Sequence, residues 1–157
     1  MPYTVDSILN ESIDVKPILL DQFLSSVKGN DNPLIGLGDT IVIIGWMYKI
    51  NAIYILAHAI WESGWGESPI SKKKFNLFGW GAENNNPYGK AWTFRNFDHC
   101  LLKVMSRIRV YYFDEQKRVT LRLMNDKEPK YASDPDWKNG ICKIMNKIDK
   151  FLTDERG

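Results

Sequence analysis

The chain of 157 residues has two cysteines, two histidines, a formal net charge of only +2 and no repeat or low-complexity tract. Each scarcity excludes something. Cys100 and Cys142 stand alone, without the spacing of a zinc site or the density of a disulfide scaffold. Both fall on the apolar sides of predicted helices, which suits buried thiols, with a single disulfide left open. The longest apolar runs, such as Ile41 to Trp46, fall far short of the roughly 20 residues of a spanning helix, so no membrane insertion is expected. Met1 to Glu11 is polar and acidic rather than basic and then apolar, so no signal peptide is expected in this chain. The weak positive charge, with no basic stripe between aromatics, argues against a nucleic-acid partner, and Lys72-Lys73-Lys74 reads as a solvated run. His58 and Glu62 are four apart, a spacing that can hold a metal. Neither His99 nor a cysteine supplies a third ligand, so no metal and no cofactor are expected.

What is present is a large aromatic share, with six Trp, seven Tyr and seven Phe. Such excess builds either a core or a groove that stacks flat partners, and composition alone favours the core. The length fits one domain over residues 1–157, with 1–36 as a helical lead-in. Helices are predicted over Thr4–Asn10, Ile18–Val27 behind Pro17, Asp39–Tyr48, and Ala52–Ser63 between an Asn51 N-cap and a Gly64 stop. Two more cover Phe97–Phe113 and Asp136–Phe151. Between them, Asn76–Ala82 and Ala91–Phe94 read as two short strands around a turn-rich loop. The expected fold is therefore mainly α, in the α+β sense, with a small β-hairpin flap forming one wall of a cleft.

One residue breaks the pattern. The helix Ala52–Ser63 is apolar almost all round, so it is expected at the centre of the core, yet it ends in Glu62. Desolvation and the negative end of the helix dipole both disfavour a carboxylate there, and both raise its pKa. A carboxyl group kept protonated near neutral pH is the proton donor that glycosidic cleavage needs. The plain alternative is a glutamate that projects into water where the helix ends. Trp61 and Trp65 on either side, and Gly64 and Gly66 allowing close approach of backbone, favour the first reading.

Ala57-His58-Ala59-Ile60-Trp61-Glu62-Ser63-Gly64-Trp65-Gly66, then Asn76-Leu77-Phe78-Gly79 and Tyr131-Ala132-Ser133-Asp134-Pro135, strongly resemble the glucosaminidase family of peptidoglycan hydrolases, glycoside hydrolase family 73. The motifs run from about Asn51 to Ile148 in the family's order and spacing. The resemblance implies a lysozyme-like helical domain and an endo-β-N-acetylglucosaminidase. Its substrate is then the glycan strand of the bacterial cell wall, cut by a monomer that needs no metal. Glu62 takes the family's general-acid position, and Tyr131 the tyrosine that lines the cleft beside it. Ser133 stands where the family usually has Thr. The family's flap aspartate falls on Asn84, with an acid one place earlier at Glu83. Glu83 is either the second catalytic carboxylate or a solvated loop residue, and the substrate's acetamido group is the nucleophile if neither position serves. Trp65, Asn76, Phe78, Trp80, Tyr88 and Trp92 are the candidates for substrate contact, Trp80 foremost.

Two rivals remain at this level. A muramidase or lytic transglycosylase on the same fold would leave different sugar ends. A non-catalytic wall-binding or phage-tail component would not need Glu62.

Overall fold

The computed structural model describes residues 2–82 and 87–156. Pro17 sits in the first turn of α1 (Pro17–Lys28), where its missing N–H leaves no bond unmade. After the Gly/Asn/Pro loop comes α2 (Gly38–Tyr48), then α3 (Ala52–Ser63), whose first turn is capped by the Asn51 side chain accepting from Tyr54 N at 3.0 Å. The boundaries of α3 are those expected from the sequence. Two short helices follow, α4 (Pro69–Lys74) and α5 (Pro87–Lys90), then α6 (Phe97–Arg107), which runs on as a π-helical stretch over Ile108–Glu115. The chain ends with α7 (Leu121–Asp126) and the long α8 (Trp137–Arg156). Helices α4 and α7 have six residues each, too few to show a period. Ser68 and Thr120 cap them, accepting from Ser71 N at 3.2 Å and Leu123 N at 3.1 Å.

Ten of the twelve residues of α3 are buried, which places it at the centre of the molecule. Its main partner is α8 and its second α2; α1 packs on both of these, and α6 on α2. The α3–α8 crossing is close because Gly140 has no side chain. A Cβ built there would lie 2.2 Å from the Trp61 ring. Cys100 and Cys142 are both buried and both free thiols, so the disulfide left open by the sequence is not formed.

Two expectations fail. Among the described residues there is no strand, so the β-hairpin flap does not exist; the fold is mainly α and the flap is an irregular loop. The cause is Asn76. Its Nδ2 donates to the carbonyls of Trp80 (3.0 Å) and Trp92 (2.9 Å), and its Oδ1 accepts from the amides of Phe78 (3.2 Å) and Trp80 (3.0 Å). One side chain thus takes the backbone groups that a ladder would have paired. Gly79 and Gly81, at φ 62° and 81°, turn the chain away from extended geometry. One backbone bond, Trp92 N to Trp80 O at 2.9 Å, links the two segments. The second failure is Thr4–Asn10, a turn followed by an irregular segment rather than a helix. Its backbone bonds go outward: Leu9 N donates to Val119 O and accepts through its carbonyl from Asn51 N, each at 2.9 Å.

The Gly140 contact makes a test. Alanine at that helical position would gain about 1 kcal/mol in helix propensity, but the overlap with Trp61 outweighs it. Gly140→Ala is expected to lose about 1–3 kcal/mol in urea unfolding, whereas Asn139→Ala, at an exposed neighbour, stays within about 0.5 kcal/mol.

Candidate active site

Glu62 lies in the last turn of α3, and the exit from that helix is tightly defined. Gly64 ends it in the left-handed region at φ 56°, and Trp65 N bonds back to Ile60 O at 3.1 Å. The buried Ser63 hydroxyl donates to Ala59 O and accepts from Gly66 N at 2.8 Å. Gly66 packs its bare Cα against Pro33 and Leu34. With both neighbours fixed, the Glu62 side chain opens into a cleft of about 330 Å³ lined by Phe78, Gly79, Trp80, Gly81, Ala82, Tyr112 and Tyr131.

Burial pushes the Glu62 carboxyl up to about 7; the Trp137 indole N–H opposes this, and the negative charge of Asp134 adds to it. Tyr131 forms the facing wall, its ring 5.2 Å from His58, 5.1 Å from Tyr112, 5.0 Å from Trp137 and 6.4 Å from Trp80. Burial, then the nearby Glu62 charge, holds its hydroxyl well above the ordinary tyrosine range, so it is a neutral donor. His58 is buried, with Nδ1 3.0 Å from the Tyr54 hydroxyl and Nε2 without a partner; burial lowers it to about 3, so it is uncharged. It is therefore a core residue with one nitrogen bonded. Among the described residues no cluster of three or more His, Cys, Asp or Glu could hold a metal.

Two buried polar side chains shape the loop that carries Tyr131. The Arg118 guanidinium donates to the carbonyls of Lys127 (3.1 Å), Glu128 (2.7 Å) and Pro129. Asn125 Nδ2 donates to Ala132 O (3.0 Å) and Asp134 O (3.1 Å). Tyr131 N then reaches Met124 O at 2.8 Å.

Of the residues singled out from the sequence, the cleft unites Glu62, Tyr131, Phe78 and Trp80. Asn76 is buried and organises the flap from beneath. Trp92 is exposed at the flap's outer side, its ring against Gly81 and under the Arg107 guanidinium at 5.1 Å. Tyr88 lies under the Lys74 ammonium at 4.6 Å, and Trp65 stacks on Phe23 at 6.1 Å, so neither lines the cleft. Glu83 lies outside the described residues. Sequence reasoning missed Tyr112, Trp137 and Asp134. Tyr112 follows the helical stripe of its neighbours and reads as core. Asp134 is part of the Tyr-Ala-Ser-Asp-Pro motif and Trp137 follows it by two residues, so the motif was the signal available for both. A larger hollow of about 410 Å³ lies between α2 and α6, but its carboxylate, Asp98, is exposed and bonded to Thr40. The chemistry therefore points to the Glu62 cleft.

The Glucosaminidase family model, described as mannosyl-glycoprotein endo-beta-N-acetylglucosaminidase, matches residues 39–150. The chain belongs to that family. The glucosaminidase domain is 35% identical over 144 residues to a Streptococcus pneumoniae (serotype 4) protein provisionally named an endo-beta-N-acetylglucosaminidase. That match takes in 92% of this chain and 22% of the relative, so the chain spans about a fifth of the relative's length. Among solved structures, a catalytic Glu-to-Ala mutant of Staphylococcus aureus autolysin E in complex with the disaccharide NAG-NAM aligns with TM-score 0.76 at 26% identity. The alignment covers 96% of this chain and 74% of that one. The same enzyme in complex with the muropeptide NAM-L-Ala-D-iGlu aligns with TM-score 0.74, also at 26% identity, covering 91% of this chain and 70% of that one.

The raised Glu62 group must also act on stability. An acid whose folded pKa lies above its unfolded value destabilises the fold as pH rises between the two, from about 4.5 to about 7. His58 acts oppositely, losing stability as pH falls below its unfolded value, but equally in wild type and variant. In urea unfolding, Glu62→Gln should therefore gain about 2–3 kcal/mol on wild type between about pH 4 and 8. Equal pH dependence in the two proteins would show that Glu62 is not raised.

Proposed function

We propose that this domain is an endo-β-N-acetylglucosaminidase that cuts the β-1,4 bond between N-acetylglucosamine and N-acetylmuramic acid in peptidoglycan, with Glu62 as general acid. The observation that carries this reading is a carboxyl group raised to about 7 in an aromatic-lined cleft. Family membership and the NAG-NAM and muropeptide complexes of autolysin E supply the substrate class. The substrate places the work at the bacterial cell wall. The described lining of the cleft lies within one chain, which supports a monomer as the acting unit.

Glu62 gives its proton to the glycosidic oxygen as the bond to the anomeric carbon breaks and positive charge develops on the sugar. Tyr131, a neutral donor facing the acid, holds the 2-acetamido group or the acid itself. Trp80, half-buried on the flap, offers the stacking face for a sugar ring, with Phe78 beneath and Trp92 at the outer rim. The developing cation is met either by Glu83 or by the substrate's own acetamido oxygen.

Digestion of purified peptidoglycan, borohydride reduction and mass spectrometry test the reading. Wild type should release reduced N-acetylglucosamine ends, and Glu62→Gln should lose about 10²–10⁴-fold in rate. Reduced or anhydro muramic acid ends would transfer the domain to the muramidase or transglycosylase class. Because the acid must be protonated, the rate should fall as pH rises through about 7. Glu83→Gln separates the two nucleophiles: a loss of about 10²-fold or more assigns the carboxylate, and a near-normal rate assigns the acetamido group.

A further inference from the structure

Trp92 is 45% exposed although its backbone is pinned: its N–H donates to Trp80 O and its carbonyl accepts from Asn76 Nδ2, each at 2.9 Å. Its indole lies against Gly81, which lines the Glu62 cleft; a Cβ built on Gly81 would come within 2.5 Å of the ring. The Arg107 guanidinium sits over the same ring, 5.1 Å from its centroid. Arg107 also lines a separate hollow of about 290 Å³ with Lys103, Ser106, Val110 and Tyr111. Cleft and hollow are thus neighbours along two paths. One runs from Gly81 through Trp92 to Arg107; the other is the backbone step from Tyr112, which lines the cleft, to Tyr111, which lines the hollow.

The hollow carries positive charge that the fold does not use. Lys103 and Arg107 stand four apart on α6, so they share a face, where like charges destabilise a helix. Among the described residues neither has an ion-pair partner. The nearby carboxylates are engaged elsewhere, Asp98 with Thr40 and Asp114 with Arg109. A guanidinium over an indole keeps its N–H donors, whose fork matches the two oxygens of a carboxylate. The strand that fits the cleft offers such a group, because peptidoglycan is not a bare polysaccharide: its muramic acid carries a peptide stem with free carboxylates.

We propose that Trp92, Arg107 and the hollow beside them form a subsite for the peptide stem of muramic acid, with Arg107 gripping a stem carboxylate while the glycan strand lies in the Glu62 cleft. The inference rests on the glycosidase reading of that cleft. Lys103 adds a second positive charge, and the exposed faces of Trp92, Val110 and Tyr111 receive the short apolar side chains of the stem. Arg107 is then a specificity residue. It favours strands that carry charged stems over uncharged polymers of N-acetylglucosamine, which have nothing to pair with it.

Binding tests this without turnover. Glu62→Gln, with and without Arg107→Gln, is titrated onto insoluble peptidoglycan stripped of phosphate polymers. The wall is used as isolated and after carbodiimide coupling has turned its carboxylates into amides. On the native wall, Arg107→Gln should weaken binding about five- to tenfold, and Arg107→Lys by less, since it keeps the charge and loses the fork. On the amidated wall all three proteins should bind alike. In turnover with Glu62 intact, Arg107→Gln should raise KM on native strands by a similar factor and leave kcat nearly unchanged. Equal binding of Glu62→Gln with and without Arg107→Gln to the native wall overturns the proposal. So does an equal loss on native and amidated walls, which would put Arg107 on the sugar and not on the stem. Should Arg107→Gln fail to fold, Arg107→Lys compared on the two walls decides alone. The binding readout needs no activity, so a domain that held charged stems through Arg107 but cut no strand would sink the glycosidase reading and leave the subsite standing.

Discussion

A carboxyl group at the end of the most buried helix is unfavourable, and the packing of α3 against α8 is what holds it there. Ten buried residues anchor α3, and Gly140 lets α8 approach until the Trp61 ring fills the space where a side chain would be. The same crossing sets Trp137 against Tyr131, which lines the cleft with Glu62. Hydrophobic burial over many residues offsets a local cost of a few kcal/mol, and that local cost is the chemistry: a proton retained near neutral pH.

Around this pair of helices, the cleft walls are shaped by side chains and not by a sheet. Asn76 gathers four backbone groups of the flap, Arg118 three carbonyls of the 127–129 loop, and Asn125 the carbonyls of Ala132 and Asp134. A buried amide or guanidinium offers several bonds from a fixed point, so it can hold irregular backbone in one shape. Glycines at Gly79 and Gly81 supply the turns, and Gly81 also admits the Trp92 ring. The described parts of the flap are thus held by local hydrogen bonds, with Phe78 and Trp80 lining the cleft.

Long helices were readable because burial imposes a period along many residues: α3 was legible to its caps, and α1, α2, α6 and α8 within a few residues. Short elements were not. Helices α4 and α7 have fewer than two turns, and the Thr4–Asn10 pattern is equally compatible with a segment whose bonds go to Val119 and Asn51. The flap was misread as a hairpin because alternating aromatics at a turn look like strands. Nothing local shows that the amide of Asn76 will claim the ladder's partners.

The site divides along the same line. Sequence alone determined the family motifs, the out-of-place Glu62 and the direction of its pKa shift, since an acid at the end of an apolar helix is desolvated in any fold that buries that helix. Tertiary structure decided which aromatics face it. Trp65, three residues from Glu62 and seemingly beside the acid, points instead onto Phe23 across the left-handed turn, while Tyr112 and Tyr131, distant in sequence, converge on the cleft. The physical reason is direction: a motif fixes where a backbone passes, but only packing of one helix on another fixes which side chains meet across the space between them.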